Sequence, residues 1–493
     1  MKRRVFLSGF LTASLAALCP VLQVRAEENS ESSSDVWDVI VVGAGLAGLS
    51  AAVSACEAGA RRVALLEKDA LIGGHSIMSS GYLNAVDPKR QTPQGIDDSV
   101  EKMVRQSLEV GEFQGDPELM HIMAAHSEDA VDWLEKHGVR WSDHVFESLS
   151  SMQKRAHVSS PVRAGYDYVM ALLESADRLG IYVRLQHDVK RLLLENGRVC
   201  GVAGVRAGMS GKEDFSFRGN ATILATGGFG ANVTLREKWA RGLTEGMETS
   251  ANPKGWLTDG ATGDGLLMAK AVGADLTQTD SILLVPYLGG RVTGYVGADI
   301  FLTPQGKRFV NEGASWSTLR DAMRALPDGR MWVLTDSASV KNNEFSGKLF
   351  SGVIHEADTL DEVADVIGCK TRVLQETVER YNRFVRAGKD EDFGKQTLLQ
   401  TIEKPPFYFG EERLNVHSTE GGLRIDAKAR VLDRNHRPIP GLYAAGETVG
   451  GIHGRSRPGG NGTLACVVFG RIAGKNAAHE SLSRPSVKNN PTT

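Results

Sequence analysis

Three features of the sequence predict an α/β fold, in which a Rossmann-like dinucleotide-binding domain carries an inserted α+β domain. A continuous β-branched run at 36–42 is typical of a strand buried on both faces. An Ala-rich helix at 46–58 and a strand at 62–67 that ends in an acid complete one βαβ unit. Two later strands, at 220–228 and 441–447, end in small residues and would lie beside a cofactor.

Between these later strands, a helix pattern at 374–387 and a strand pattern at 331–335 predict the inserted domain. The expected boundaries are a signal peptide at 1–26, a linker at 27–35, the first part of the cofactor-binding domain at 36–280, a substrate-capping domain at 281–405, the second part of the cofactor-binding domain at 406–480 and a flexible tail at 481–493.

The composition is that of an ordinary globular protein, since 41% of the 493 residues are hydrophobic and 24% are charged. Such a chain is long enough for two or more packed domains and is neither disordered nor fibrous in character. The formal net charge is -3 and the basic residues are scattered, which argues against a nucleic-acid surface. Small molecules are therefore the expected partners.

The first 26 residues are typical of a signal peptide, because basic residues precede an apolar stretch. Arg3 and Arg4, followed by Phe6 and Leu7, resemble the twin-arginine type, which exports proteins already folded around a cofactor. The alternative is an uncleaved membrane anchor, but the apolar run is shorter than the ~20 residues that a span needs. We therefore expect a periplasmic protein with no stable membrane span after cleavage.

The cysteines indicate neither a metal site nor haem. Cys19 lies in the signal peptide, and Cys56, Cys200, Cys369 and Cys466 stand at wide spacings. The sequence has no Cys-x-x-Cys-His motif, so any haem must belong to another polypeptide. Four scattered cysteines in a large chain are more often buried small hydrophobes than disulfide partners.

A Gly-x-Gly-x-x-Gly fingerprint follows the first strand at 43–48. Gly43 would make the tight turn, Gly45 would let the backbone approach a pyrophosphate, and Gly48 would allow close helix packing. Glu67, at the end of the second strand, would accept a hydrogen bond from a ribose hydroxyl. Strand, helix, second strand and acid stand at the right distances, so the motif is stronger evidence here than it would be alone.

The fingerprint does not by itself distinguish FAD from NAD. Further glycine-rich motifs recur far apart in the chain, at 225–230, 445–447 and 457–461. A large cofactor that contacts many loops requires such motifs, so the sequence favours FAD.

With these motifs, the chain resembles the flavoprotein domain of the soluble fumarate reductase family, which includes flavocytochrome c, urocanate reductase and, further off, 3-ketosteroid dehydrogenases. The resemblance covers about 36–480 and does not include a haem domain. Besides the fingerprint, the matching motifs are Ile72-Gly73-Gly74, Ala225-Thr226-Gly227-Gly228-Phe229, Gly263-Asp264-Gly265, Gly306-Lys307-Arg308-Phe309-Val310-Asn311-Glu312, Val416-His417-Ser418-Thr419-Glu420-Gly421-Gly422 and 450–461.

The resemblance also implies which residues contact FAD. They are Gly43, Ala44, Gly45, Ala47, Gly48, Glu67, Lys68, Gly74, His75, Ser76, Ser80, Gly81, Thr226, Gly227, Gly228, Asp264, Gly446, Glu447, Arg457, Gly460, Asn461 and Leu464. No metal ligand is implied. His75 lies where membrane-bound relatives carry a histidine linked covalently to FAD, but soluble members hold FAD noncovalently, which we expect here.

The chemistry that the resemblance implies is hydride transfer between flavin N5 and an activated carbon, with a proton supplied on the other side of the double bond. Arg457 and His417 fall on the family's carboxylate-binding arginine and histidine. Fixed cations aimed at the carboxylate would stabilise the charge that builds in the transition state. An arginine fork suits this role because it meets a carboxylate bidentately. The alternatives are a hydrogen-bonded loop histidine for His417 and a surface ion pair for Arg457.

The chain departs from the family at the proton donor. Trp316 stands where fumarate reductases have an arginine that donates the proton. Arg320, one helical turn later, lies on the same predicted helix face and is the first candidate for the acid. Tyr295 is the alternative candidate, although its high ordinary pKa would need neighbouring cations.

A second departure affects the distal carboxylate site. Val292 and Tyr295 stand at the glutamate and arginine positions of the family's Thr-Glu-x-x-Arg segment, and the usual His-Pro-Thr ahead of it has become Leu-Val-Pro around Val285 and Pro286. The distal carboxylate pocket is therefore expected to be missing, and fumarate is an unlikely substrate. An unsaturated monocarboxylate with an apolar or aromatic tail fits better. Trp316, Tyr295 and Tyr287 are candidates to line that tail, although such aromatics are as often plain core.

The sequence thus predicts an exported FAD-dependent reductase of a C=C bond conjugated to a carboxylate. Its electrons would come from a separate donor, a cytochrome c or a flavin-carrying protein. Two alternatives stay open: a dehydrogenase or oxidase of the ketosteroid type, in which a tyrosine base replaces the arginine acid, and a flavin-binding electron-relay subunit. Loss of the arginine at 316 favours the dehydrogenase, whereas Arg457 and His417 oppose it.

Overall fold

The computed structural model describes residues 36–150, 152–159, 164–208, 211–252, 259–287, 289–342 and 344–484. The predicted signal peptide, the linker and 485–493 of the predicted tail lie outside the described residues.

The strands are β1 (Val36–Val42), β2 (Val63–Leu66), β3 (Leu83–Asn84), β4 (Phe146–Glu147), β5 (Lys154–His157), β6 (Tyr182–Arg184), β7 (His187–Glu195), β8 (Arg198–Gly208), β9 (Gly211–Leu224), β10 (Leu276–Thr277), β11 (Ile282–Pro286), β12 (Ile300–Leu302), β13 (Arg330–Asp336), β14 (His355–Ala357), β15 (Phe407–Thr419), β16 (Gly422–Leu423), β17 (Arg430–Leu432) and β18 (Pro438–Ala444). The α-helices are α1 (Leu46–Glu57), α2 (Gly74–Met78), α3 (Pro88–Gln91), α4 (Val100–Val110), α5 (Pro117–Ala125), α6 (Ser127–Lys136), α7 (Ala164–Arg178), α8 (Val233–Trp239), α9 (Asp264–Ala271), α10 (Trp316–Arg324), α11 (Phe345–Phe350), α12 (Leu360–Ile367), α13 (Thr371–Ala387) and α14 (Asn461–Leu482). Three short 3-10 helices cover Thr92–Gln94, Pro327–Gly329 and Gly446–Thr448.

The main sheet has a parallel core in the order β18-β9-β1-β2-β6, extended by antiparallel strands β17, β8 and β7. Val42, at the end of β1, pairs with Leu66 on one side and Leu224 on the other. The carboxyl ends of these parallel strands therefore meet at one edge, where ligands bind in open α/β sheets. The predicted strand at 36–42 coincides with β1, and the Rossmann-like α/β fold is confirmed.

Helix α1 packs against α14 at a distance that excludes larger side chains. A Cβ added at Gly474 would overlap the carbonyl oxygen of Ala51, and one added at Gly470 would lie 2.6 Å from the carbonyl oxygen of Ala47. The glycines of α14 thus let the two helices approach backbone to backbone. This contact fixes the N-termini of both helices relative to the sheet.

The inserted domain is built on an antiparallel sheet in the order β11-β15-β13-β12, with β14 also paired to β15. The first half of β15 pairs with β13 and the second half with β11, so one strand runs the length of the sheet. This strand, Phe407–Thr419, lies beyond the predicted domain boundary at 405. The predicted division therefore separates β15 from the strands with which it pairs.

Four buried charges lie together in the inserted domain. Arg308 contacts Glu312 at 2.8 Å and Asp390 at 2.9 Å, and Lys395 lies 3.3 Å from Glu312. None of these side chains is more than 4% exposed. Because each cation has a carboxylate partner, the cluster is tolerated inside the domain, but removal of one member leaves a buried charge without compensation.

Replacing Glu312 by alanine is expected to destabilise the protein by about 3–5 kcal/mol, since Arg308 and Lys395 lose a buried partner. The matched control is Asp392→Ala, which breaks the more exposed pair that Asp392 forms with Arg380 at 2.6 Å. That change should cost about 1 kcal/mol or less. Urea unfolding of the two variants measures both changes in the free energy of unfolding. Equal changes would contradict the conclusion that the buried cluster contributes more to stability than the exposed pair does.

Candidate active site

The glycine fingerprint has the tight geometry that its sequence predicts. Gly43 follows β1 with φ of +100°, in the left-handed region, and a Cβ there would overlap the carbonyl oxygen of Ala225. A Cβ at Gly48 would overlap the carbonyl oxygen of Gly43. Only glycine fits either position, so the turn and the start of α1 lie against the sheet edge.

Glu67 closes this turn from the next strand. Its two carboxylate oxygens accept hydrogen bonds from the backbone N–H of Ala44 at 2.8 Å and of Asp69 at 3.0 Å. Burial raises the pKa of Glu67, and the two backbone donors act in the opposite direction. Each carboxylate oxygen can accept a further hydrogen bond, so Glu67 still has the capacity to bind a ribose hydroxyl.

Lys68 and Asp264, both predicted FAD contacts, form an ion pair at 2.7 Å. Lys68 also donates to the carbonyl oxygen of Gly260 and to the hydroxyl of Thr262. The pair joins the end of β2 to the first residue of α9. It therefore ties two predicted cofactor loops together.

The residues present fit FAD. The N-terminus of α1 follows Gly45, and that of α14 follows Gly460, whose φ is +94°. Helix N-termini attract phosphate groups because their backbone N–H groups are unpaired and the helix dipole is positive there. The glycine loops leave no room for side chains between these ends and the sheet.

Two predicted FAD contacts have side chains that point elsewhere. The side chain of Asn461 is buried and bonds Asn84 at 2.8 Å and Ser107 at 3.0 Å. Leu464 is fully buried in the core. Their roles in the structure are packing and the positioning of the loop before α14.

A cavity of about 320 Å³ lies where the predicted cofactor loops face the inserted domain. Of the predicted FAD contacts, it is lined by His75, Ser76, Ser80, Gly81, Gly446, Glu447, Arg457 and Gly460. The remaining predicted FAD contacts do not line it. Of the predicted catalytic and tail-lining residues, it brings together His417, Arg457, Trp316 and Tyr287.

His75 lies between two carboxylates. Its Nε2 donates to Asp259 at 2.7 Å, and its Nδ1 is 3.7 Å from Glu447. Burial disfavours the charged ring, but Asp259 and Glu447 outweigh burial and raise the pKa of His75 to about 10. The ring is therefore an imidazolium at neutral pH, with both nitrogens protonated.

His417, on β15, is a neutral imidazole. Its Nδ1 lies 2.8 Å from the hydroxyl of Ser250. Burial, together with the charge of Arg457, lowers the pKa of His417 to about 3. The same two causes lower the pKa of His453 to about 3. Both rings are therefore neutral at neutral pH, and Nδ1 of His453 is buried with no hydrogen-bond partner among the described residues.

Arg457 has a partner that the sequence reasoning did not identify. Its Nε donates to Glu420 at 3.1 Å and its Nη2 donates to the hydroxyl of Ser418, also at 3.1 Å. Ser418 in turn donates to Glu420 at 2.7 Å. Within the described part of the chain, Nη1 of Arg457 has no hydrogen-bond partner, which leaves it for a ligand. Burial raises the pKa of Glu420, and the charge of Arg457 opposes that rise.

The structure does not bring the two predicted acids to the cavity. Arg320 turns to its neighbour Asp321, with contacts of 2.8 and 3.2 Å, because the buried face of α10 is formed by Trp316 and residues one and two turns later. The hydroxyl of Tyr295 accepts a hydrogen bond from the backbone N–H of Val340 at 2.9 Å. Neither side chain lines the cavity, so neither is placed to donate a proton there.

Arg291 was also missed by the sequence reasoning, and it lines the cavity from the inserted domain. Its Nε donates to Asp299 at 2.6 Å and its Nη2 to the carbonyl oxygen of Tyr295 at 2.9 Å. Its Nη1 is buried and has no hydrogen-bond partner in the part of the chain described. The only sequence signal was a charge directly before Val292, in the segment that departs from the family.

Within the described ranges there is no group of three or more side chains that could hold a metal ion, and no helix has the length and apolar character needed to cross a membrane. Cys56, Cys200, Cys369 and Cys466 are free and partly buried.

Replacing Gly43 by alanine is expected to abolish FAD binding, because the new methyl group would overlap the carbonyl oxygen of Ala225 and displace the turn. The matched control is Gly138→Ala, since Gly138 has a similar φ of +107° but open space around its Cβ position. Both changes impose the left-handed cost of about 1–2 kcal/mol, and only the first adds an overlap. The ratio of flavin to protein absorbance in the purified variants reports the result. Retention of full flavin by Gly43→Ala would contradict the fingerprint's role.

Comparison with known proteins agrees with this site. The family model described as an FAD binding domain matches residues 38–463. A probable fumarate reductase of Shewanella frigidimarina is 34% identical over 459 residues, which cover 92% of this chain and 76% of the relative. A urocanate reductase of Eggerthella lenta is 33% identical over 474 residues, covering 90% of this chain and 74% of the relative. The open conformation of a flavocytochrome c3 fumarate reductase has a TM-score of 0.69 at 33% identity, over 91% of this chain and 79% of that one. The chain therefore belongs to the FAD binding domain family and, within it, to the FAD-dependent oxidoreductases that act on CH–CH groups.

Proposed function

We propose that the protein reduces the C=C bond of an α,β-unsaturated monocarboxylate with an apolar or aromatic tail. The observation that carries this proposal is the composition of the cavity wall. Arg457 and His417 stand beside the flavin loops, whereas the inserted domain presents Trp316 and Tyr287. One end of the cavity thus suits a carboxylate and the other an apolar group.

At the carboxylate end of the cavity, hydrogen-bond donors are oriented before a substrate binds. With Nε and Nη2 of Arg457 held by Glu420 and Ser418, its Nη1 is oriented before a substrate arrives. The neutral ring of His417 supplies a second polar contact. Bound flavin supplies the hydride. As negative charge builds on the substrate carboxylate, donors that are already oriented stabilise the transition state at no cost of reorganisation.

The aromatic end of the cavity offers a flat apolar surface to a substrate tail. Trp316 is 8% exposed and occupies the position of the family's arginine. Tyr287 donates its hydroxyl to Glu344, at 2.9 and 3.0 Å to the two carboxylate oxygens, so it presents its ring to the cavity. A planar tail can stack on such surfaces.

We further propose that FAD is held noncovalently. The support is the state of His75, because both ring nitrogens are protonated and engaged by carboxylates, which leaves no lone pair for a bond to the flavin. Denaturation in acid should therefore release all flavin into the supernatant. Flavin fluorescence that stays on the denatured protein band would contradict this proposal.

Export by the twin-arginine route, a periplasmic location and a separate donor, either a cytochrome c or a flavin-carrying protein, also belong to the proposal. Their support is Arg3 and Arg4 and the absence of a haem motif from the sequence. A cofactor this deeply embedded in the fold is inserted before export, which the twin-arginine route permits.

The ion pair of Arg457 with Glu420 favours a second candidate, a dehydrogenase or oxidase of the ketosteroid type. A neutral ketone would bind without disturbing a balanced pair. The third candidate, an electron-relay subunit, would bind no enoate at all.

A panel of oxidants and reductants distinguishes the three candidate functions. Photoreduced enzyme is mixed anaerobically with acrylate, cinnamate and fumarate, and reoxidation of the flavin is followed at about 450 nm. We expect cinnamate to reoxidise the flavin faster than fumarate. Bleaching of the oxidised flavin by a saturated keto steroid would support the dehydrogenase, and no response to any compound would support the relay subunit.

Within this panel, Arg457→Gln is expected to lower the rate of reoxidation by cinnamate by about 10²–10³-fold, the usual effect of removing one donor from a charge-stabilising site. The matched control is Arg455→Gln, which breaks only the exposed pair of Arg455 with Asp280. That variant should stay within about twofold of the wild type. Equal rates for the two variants would remove Arg457 from the proposed carboxylate site.

A further inference from the structure

Tyr82 is a tyrosine in the cavity whose hydroxyl proton is not used in a hydrogen bond to a described residue. Tyr82 lines the cavity, and its hydroxyl has no hydrogen-bond partner among the residues that the structure describes. Its ring is held by an edge contact with Phe146, at 6.3 Å between ring centroids. A buried tyrosine normally directs its hydroxyl to a partner, so an unpaired one in a cavity indicates a ligand.

Tyr82 reaches from the cofactor wall of the cavity to the opposite wall. Its backbone directly follows Ser80 and Gly81, two predicted flavin contacts that line the cavity. Its hydroxyl lies against the inserted domain, since a Cβ added at Gly294 would be 2.5 Å from that oxygen. A flat substrate between the flavin and the inserted domain therefore has this hydroxyl beside it.

The other acidic side chains that line the cavity already take part in hydrogen bonds or ion pairs. Glu420 accepts from Arg457 and Ser418, and Glu447 accepts from the backbone N–H of Thr419 at 2.9 Å. Tyr287 donates to Glu344, which also pairs with Lys348 at 2.6 Å. The imidazolium of His75 donates a hydrogen bond from Nε2 to Asp259. Glu412 accepts the backbone N–H of Arg291 at 2.8 Å.

Arg291 provides the charge that a phenol needs in order to act as an acid. Burial raises the pKa of Tyr82, and Arg291 acts in the opposite direction. The phenol therefore holds its proton in the resting protein, while the guanidinium favours the tyrosinate that donation leaves behind. Asp299 fixes Arg291 through two contacts, at 2.6 and 3.2 Å, and is itself fully buried.

We propose that Tyr82 is the proton donor of the reaction and that Arg291 is the positioning residue that stabilises its tyrosinate. This inference rests on the proposed function. Hydride from the reduced flavin forms the new C–H bond at Cβ, and the electron pair of the C=C bond moves towards the carboxylate. The O–H bond of Tyr82 breaks as the second C–H bond forms at Cα. Two electrons have then passed from the flavin to the substrate, and the tyrosinate regains a proton from water.

Two variants test the donor in complementary ways. Tyr82→Phe removes the hydroxyl and keeps the ring. Gly294→Ala keeps the hydroxyl but displaces it, because the added methyl group would lie 2.5 Å from it. Gly294 does not have a positive φ, so the backbone accepts alanine. The control is Tyr408→Phe, which removes a phenol that packs on Phe345 in the inserted domain, outside the cavity.

With reduced holoenzyme and cinnamate, Tyr82→Phe should reoxidise about 10²–10⁴-fold more slowly than the wild type, the range for loss of a general acid. Gly294→Ala should also be slow, and Tyr408→Phe should stay within about threefold of the wild type. Flavin content and the dissociation constant of 3-phenylpropionate, read from its perturbation of the oxidised flavin spectrum, should be unchanged within about threefold in all three variants.

Labelling separates a donor from a merely structural residue. In D₂O, the wild type should form a single diastereomer of doubly deuterated 3-phenylpropionate, because fixed groups deliver both atoms. The residual product of Tyr82→Phe should carry deuterium on both faces of Cα. A rate within threefold of the wild type, or a single diastereomer from Tyr82→Phe, would overturn the proposal. Failure of the proposed function looks different, since wild-type flavin would then not be reoxidised by any enoate.

Discussion

The site depends on one partly buried carboxylate, that of Glu447. It accepts a hydrogen bond from the backbone N–H of Thr419, at the end of β15, and lies 3.7 Å from the ring of His75. Gly228 faces the same carboxylate, where a Cβ would overlap it. Burial disfavours its charge, but His75 and the N–H of Thr419 outweigh burial and lower the pKa of Glu447. This carboxylate therefore joins the end of β15 to the predicted cofactor loops that carry His75 and Gly228.

Charge in the site is arranged as pairs. His75 is balanced by two carboxylates, Arg457 by Glu420 and Arg291 by Asp299. Each buried cation therefore has its partner, which the cost of burying a lone charge requires. What remains for a ligand is a small number of directed N–H and O–H groups. Recognition through such groups selects the shape and the hydrogen-bonding pattern of a substrate more strongly than its net charge.

Features set by local pattern were predictable from the sequence. The strand at 36–42 and the glycine turn after it depend on neighbouring residues only, and both were correct. The pairing of β15 was not predicted, because its partner strands lie more than 70 residues away in sequence at β13 and further away at β11. Such pairing leaves no local signal in the strand itself.

The acid was misplaced for a related reason. Helical spacing put Arg320 near the face of Trp316, but a side chain at the edge of a helix face can turn to either side, and Asp321 offers an adjacent partner. Glu420 and Arg291 were not predicted as site residues, because their contacts with Arg457 and Asp299 exist only in the folded chain. Their importance follows only from what lies across the cavity.

Two residues of the inserted domain shape the cavity beside Tyr82. Trp316 lines it and is almost fully buried, and Gly294 leaves the space that the hydroxyl of Tyr82 occupies. Tyr82 belongs to the loop that carries Ser80 and Gly81, and its hydroxyl lies against Gly294 of the inserted domain. Arg291, which favours the tyrosinate, is fixed by Asp299 and lines the cavity from the inserted domain. The proposed acid and the charge that supports it therefore come from opposite sides of one cavity.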